Sequence, residues 1–224
     1  PPAWKGMPTT GPVRTFALLI EFPEYPHSNE AKKINDALFG SPATGKPYES
    51  LARYYQRASY GQLDLSCGTT LGWYKTDKKR SEIIQDDNGR ESLIKEALLH
   101  FKAEGHDFAQ YDNDNDGFID YFMVLWAGPD NGWANFWWGY QTEFSEPGFT
   151  LDGKSLKAYS WQWECRPVGS QFNTRVVIHE TGHALGLPDL YDYDESVGPD
   201  GGVGGADMMD ANQFDLNCFF KWML

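Results

Sequence analysis

Hydrophobic and polar positions along this chain of 224 residues follow two different periods, and the places where the period changes mark out the elements. Residues 16–22 (FALLIEF) form a short, nearly unbroken apolar run behind Gly11 and Pro12, which predicts a buried strand. A helix is expected over residues 30–39, with Ser28 and Asn29 as candidate caps and Gly40 as its stop. A second helix, over residues 48–58, sets Leu51, Tyr54, Tyr55 and Ala58 on one face. Residues 61–65 and 69–74 read as short strands. The clearest amphipathic helix spans 90–104, where Leu93, Ile94, Ala97, Leu98 and Phe101 recur at helical spacing before Gly105.

Further along, residues 118–127 (FIDYFMVLWA) are apolar enough for a central strand. Residues 128–148, rich in Gly and Trp, predict loop with an edge strand, and 158–164 alternate as another strand. A helix over 174–185 closes at Gly186 and Pro188, and little regular structure is expected after Asp189 until Phe219. Helices and strands mixed in this order predict an α+β fold. The expected organisation is one domain over residues 1–224, with an upper lobe to about residue 186 and a smaller loop-rich lobe over 187–224 that continues past Leu224.

Composition narrows the class. A 41% hydrophobic and 23% charged chain can bury an ordinary globular core. A net charge of −13 argues against nucleic acid or an anionic membrane as partner, because phosphate binding needs a basic face. No apolar run approaches the about 18 residues that span a bilayer, so membrane insertion is not expected. Three cysteines, Cys67, Cys165 and Cys218, are too few for a disulfide scaffold, and the odd count leaves at least one thiol free.

The chemistry concentrates at His179-Glu180-Thr181-Gly182-His183. Two histidines four apart on a helix stand one turn from each other, so both imidazoles can face one point, and neutral imidazole nitrogen is a preferred zinc donor. Glu180 lies beside that face, able to reach a water there without ligating the metal. Gly186 accepts the left-handed conformation that reverses the chain, Pro188 stiffens the return, and Asp189 falls six residues after His183 as an oxygen ligand. Asp192 is the alternative third ligand. The sequence-level reading is a zinc-dependent endopeptidase acting through a metal-activated water with Glu180 as general base, on protein or peptide substrates. Substrate is expected to lie extended along an exposed sheet edge, and a phenol, Tyr191 or Tyr193, is a candidate aid to the oxyanion. The rival is a non-catalytic, calcium-dependent module that binds glycans or protein on a peptidase-like fold.

The run HETGHALGLPDLYD from His179 to Asp192 resembles the active-site signature of the immune-inhibitor-A family of secreted bacterial metallopeptidases. That resemblance implies a metzincin-like zincin fold, with a twisted mixed β-sheet, backing helices and an active-site helix. It also implies a methionine turn under the metal, and Gly204-Gly205-Ala206-Asp207-Met208-Met209-Asp210 matches it with Met209 in the methionine position. Ala206 and Met208 depart from the family's usual aromatic and leucine. FALLIEFPEY, Ser59 to Leu63 and Gly72-Trp73-Tyr74 extend the likeness. Family members are secreted and carry an N-terminal propeptide and further C-terminal domains, and the resemblance implies that secretion, and such segments beyond the 224 residues of this sequence, are expected here.

Two other features remain. Asp112, Asp114, Asp116 and Asp120 recur with Gly117 at the sixth position, as in the first nine positions of a calcium loop, with Phe118 offering a backbone carbonyl. Met123 stands where an EF-hand needs Glu, so a structural Ca2+ turn ahead of the central strand is expected instead, alongside Zn2+ at the histidines. Asp192, Asp194, Glu195 and Asp200 are candidates for a second such ion. Trp126, Trp133, Trp137, Trp138, Tyr140, Trp161 and Trp163 are read first as core residues and loop anchors, with sugar stacking or substrate subsites as the alternative.

Overall fold

A computed structural model describes residues 6–41, 49–129, 139–165, 169–194, 196–197 and 201–224. In chain order the elements are β1 (Gly11–Pro12), β2 (Phe16–Glu21), α1 (Ala31–Phe39), α2 (Leu51–Ala58), β3 (Leu63–Asp64), β4 (Thr69–Lys75), α3 (Asp87–Ala103), β5 (Phe118–Trp126), β6 (Tyr140–Glu143), β7 (Thr150–Leu151), β8 (Lys154–Trp163), α4 (Arg175–Ala184), α5 (Met208–Ala211) and α6 (Cys218–Met223). The main sheet runs in the order β4-β2-β5-β8-β6, parallel except for β6, which lies antiparallel to β8 at the edge. β7 also pairs with β8, and β1 pairs with β3 in a separate two-stranded ribbon.

Both faces of the sheet are covered, which is why β2 and β5 read as continuous apolar runs rather than alternating ones. Phe16, Leu18, Ile20, Phe122 and Val124 pack on one side against Leu93, Ile94, Ala97 and Leu98 of α3. Ala17, Leu19, Met123 and Leu125 point the other way, against α1, α2 and Val177 and Ile178 of α4. That second layer holds α4 against the sheet at its β8 and β6 side. The fold is the mixed α+β arrangement expected from the sequence.

Boundaries differ where side chains took other work. Ser28 and Asn29 do not cap α1. Glu30 holds the cap position without a side-chain bond, while the Ser28 and Asn29 N–H groups donate to the Glu164 carboxylate at 2.7 and 2.9 Å. Tyr48 lies outside the described residues, and α2 starts at Leu51 with the Ser50 hydroxyl accepting from Arg53 N. Helix α3 begins three residues earlier than expected, because Asp86 accepts from Gly89 N at 2.8 Å and caps it. Gly89, which hides this first turn in the sequence, is required there: a Cβ would sit 2.0 Å from the Ile84 carbonyl oxygen. β8 starts at Lys154, ahead of the expected residue 158. The short helix α5 lies in the stretch expected to be irregular, while α6 begins at Cys218, about where regular structure was expected to resume. Asp207 caps α5 by accepting from Met209 N, and Asn217 caps α6 by accepting from Phe220 N. All three cysteines are free thiols.

Leu125, fully buried near the C-terminal end of β5, supports the face on which α4 rests. Leu125→Ala is expected to cost about 2–5 kcal/mol through lost burial and the remaining cavity. Urea unfolding should show a lower midpoint at unchanged slope.

Candidate metal centre

Helix α4 is anchored before its histidines appear. Val177 and Ile178 are buried, and the Tyr55 hydroxyl donates to the Ile178 carbonyl at 2.6 Å. The helix closes as the sequence predicts. Gly186 adopts φ 93°, Leu187 N donates to Gly182 O at 2.9 Å and Gly186 N to His183 O at 2.9 Å, the two bonds of a Schellman closure. The closure turns the chain back so that the Leu187 carbonyl accepts from His183 Nδ1 at 2.8 Å. Beneath the helix, the α5 turn brings the Met208 carbonyl to His179 Nδ1 at 2.9 Å. Met209 lies against Gly182, where an added Cβ would meet its Sδ at 2.5 Å. Gly182 thus leaves room for the Met209 side chain.

A carbonyl cannot donate, so both Nδ1 atoms carry the proton and both Nε2 atoms of the neutral rings present lone pairs. Those Nε2 atoms are 3.1 Å apart, and Asp189 Oδ1 lies 2.9 Å from one and 3.2 Å from the other. Asp189 Oδ1 is buried with no hydrogen-bond donor. Three acceptors crowded this way repel one another unless a cation sits between them. Bonds of about 2.0 Å to a tetrahedral ion put ligand atoms about 3.3 Å apart, so the spacing and the N, N, O donor set fit a zinc-sized ion. Tyr193 donates its hydroxyl to Asp189 Oδ2, which leaves Oδ1 as the free oxygen. Asp189 rather than Asp192 faces the imidazoles; Asp192 Oδ1 accepts from Asp194 N at 2.9 Å.

Glu180, 6% exposed, opens onto a cleft of about 270 Å³ beside these groups. Burial, with a smaller contribution from the Asp189 charge, pushes its carboxyl from 4.5 up to about 8. Burial also lowers the His179 pKa, which favours the neutral ring that a metal requires.

Residues 3–214 match the family model described as immune inhibitor A peptidase M6, catalytic domain. The chain belongs to this metallopeptidase family. It is 25% identical over 236 residues to Immune inhibitor A of Bacillus thuringiensis subsp. alesti, covering 81% of this chain and 34% of that protein. It is also 25% identical over 231 residues to the Pre-pro-metalloprotease PrtV of Vibrio cholerae serotype O1 (strain M66-2), covering 80% of this chain and 25% of the relative. The chain therefore spans 25% to 34% of the length of these curated relatives.

Other sequence-predicted residues of this peptidase family member take up the following places. Carboxylate oxygens of Asp112, Asp114 and Asp116 come within 4.8 Å of one another. Asn115 and Gly117 take positive φ, and the Asp116 and Gly117 N–H groups donate to Asp112. Asp120 turns inward: its Oδ2 accepts from Asn113, its Oδ1 is buried without a partner, and burial raises its carboxyl to about 6. Phe118 N donates to Asp116 Oδ1. The Lys154 ammonium, unforeseen in the sequence, lies 2.5 Å from Asp112 Oδ2. It and the loop N–H groups hold the Asp112 carboxyl below its usual range although burial works against them. Glu195 and Asp200 lie outside the described residues, and Asp194 Oδ1 accepts from Ser196 N. Trp126, Trp161 and Trp163 are core residues; the Arg90 guanidinium lies 3.8 Å over the Trp161 ring. Tyr140 is exposed on the edge strand, and Trp133, Trp137 and Trp138 lie outside the described residues.

The raised Glu180 pKa has a sign that can be measured. The native carboxyl holds its proton up to about pH 8, whereas the unfolded one releases it near 4.5. The metal-stripped chain should therefore lose stability as pH rises between these values, since the native state binds more protons there. Glu180→Gln should flatten that slope in chelator-treated samples followed by urea denaturation.

Proposed function

We propose that the chain is a zinc-dependent endopeptidase that hydrolyses peptide bonds in proteins, with His179, His183 and Asp189 as metal ligands and Glu180 as general base. The observation that carries this reading is the convergence of three lone-pair atoms at 2.9 to 3.2 Å beside a buried carboxyl. A zinc ion held there supplies Lewis acidity, which makes a nearby water acidic near neutral pH and polarises a carbonyl.

The chain's own groups account for the rest. Leu187 and Met208 carbonyls keep both rings neutral and aimed at one point. Glu180 takes a proton from water as that water's oxygen adds to the scissile carbonyl, then gives the proton to the amine as the C–N bond breaks. A cation held by His179, His183 and Asp189 would lower the Glu180 pKa against the effect of burial, favouring the ionised carboxylate that a general base requires. Among the described residues β6 is the last strand of the sheet order, and its outer edge suits an extended substrate added as a further strand. Gly139, just before β6, leads there: a Cβ on it would lie 2.3 Å from Val176 Cγ1 and 3.6 Å from Glu180 Oε1. Glu180 also weighs against a pure binding module, which gains nothing from a buried carboxyl in this cleft.

The same proposal includes a structural calcium ion at the Asp112, Asp114 and Asp116 carboxylates, which fix the turn that launches β5. Lys154 shares Asp112 and competes for that charge. Export, a propeptide and additional domains belong to the proposal as well; the name Pre-pro-metalloprotease of the Vibrio relative supports a precursor.

Glu180→Gln is expected to retain zinc by elemental analysis while casein hydrolysis falls by about 10²-fold or more; casein hydrolysis at the unaltered rate rules out Glu180 as the base. Calcium at millimolar concentration should raise Tm by a few degrees over a chelator-treated sample. Identical melting curves would remove calcium from the account.

A further inference from the structure

The cleft of about 270 Å³ beside Glu180 lies between the end of β8, the start of α4 and the residue that follows α5. It is smaller than typical sites for whole small molecules, about 300–1,000 Å³, and suits a single substrate side chain. Its chemistry follows from one face at the end of β8, where Ser160 and Gln162, and Glu164 just past the strand, alternate with Trp161 and Trp163 on the other. Ser160 is satisfied by the Tyr121 hydroxyl at 2.6 Å. Glu164 is satisfied by the Ser28 and Asn29 N–H groups.

Gln162 is different. It is 6% exposed and its Nε2 donates to the Trp163 carbonyl at 3.3 Å, which fixes its orientation, yet its Oε1 is buried without a partner. Asn212 also lines the cleft, and its Oδ1 is likewise buried and unpartnered. Asn212 holds φ 53°, a left-handed conformation that Asn and Gly tolerate best, directly after the α5 turn. Buried acceptors without donors are destabilising, so two around one cleft call for a ligand that brings N–H groups. Among the described lining residues there is no Lys or Arg, whereas Glu164 and Glu180 add carboxylates.

We propose that this cleft is a specificity subsite for a substrate side chain that ends in N–H donors, Lys, Arg or Gln, bound by Gln162 Oε1 and Asn212 Oδ1 next to the scissile bond. The subsite rests on the peptidase reading of the adjoining centre. A hydrocarbon side chain of similar length leaves both oxygens unpaired and is disfavoured.

The test begins by mapping the cuts that the full chain makes in denatured casein by mass spectrometry. Lys, Arg and Gln should together be enriched over Leu and Met at one of the two residues flanking the cut. Quenched fluorescent peptides differing only at that residue then give a ratio of kcat/KM, expected to favour Gln over Leu by about ten-fold or more. Gln162→Leu should bring the ratio to near one or invert it. Asn212→Gly, which keeps the left-handed backbone, should lower it. A ratio taken within one preparation does not depend on how much protein is folded. Cuts that favour apolar residues at both flanking positions, or a ratio unchanged in both variants, overturn the subsite and leave the peptidase reading standing. No cleavage of any substrate by the unaltered chain overturns both.

Discussion

Each imidazole on α4 donates its Nδ1 proton to a backbone carbonyl, His179 to Met208 and His183 to Leu187, and so is left with one lone pair to direct elsewhere. That constraint organises the surrounding chain. The Leu187 carbonyl reaches His183 only because Gly186 turns left-handed and closes the helix. The Met208 carbonyl reaches His179 only because Gly182 leaves room for Met209 and Asp207 caps the α5 turn. Two distant segments thus set tautomer and aim together.

The cost of this arrangement is carried by the rest of the fold. Three unpaired acceptors and a buried Glu180 form a destabilised centre, and the layers on both faces of the sheet supply the stability that holds it. Buried polar residues cluster on the α4 side of β8, where Ser160, Gln162 and Glu164 replace the aromatic residues of the opposite face. The strand that backs the helix therefore carries the walls of the cleft as well.

Much of the centre was legible in the sequence because its spacing is local. His179, Glu180 and His183 share one helix, and Gly186 and Asp189 follow within a single turn and return. The strands β2 and β5 were legible from apolar runs, and α3 from its periodicity. What escaped depends on contacts between remote segments. Nothing near Ser28 or Asn29 signals that their N–H groups serve Glu164, more than 130 residues away, instead of a helix cap. Lys154 beside Asp112, 42 residues away, was hidden for the same reason. Gln162 left a faint trace: in the run SWQWE the polar residues alternate with tryptophans, a period-two pattern that sets them on a single strand face.

The central claim is that His179, His183 and Asp189 share one cation. X-ray absorption at the zinc edge on the metal-loaded chain examines those ligands directly. The account predicts a first shell of nitrogen and oxygen at about 2.0–2.1 Å with the outer-shell scattering of two imidazoles. That imidazole signal should weaken by half in His183→Ala. A spectrum without imidazole scattering, or one dominated by sulfur at about 2.3 Å, would contradict it.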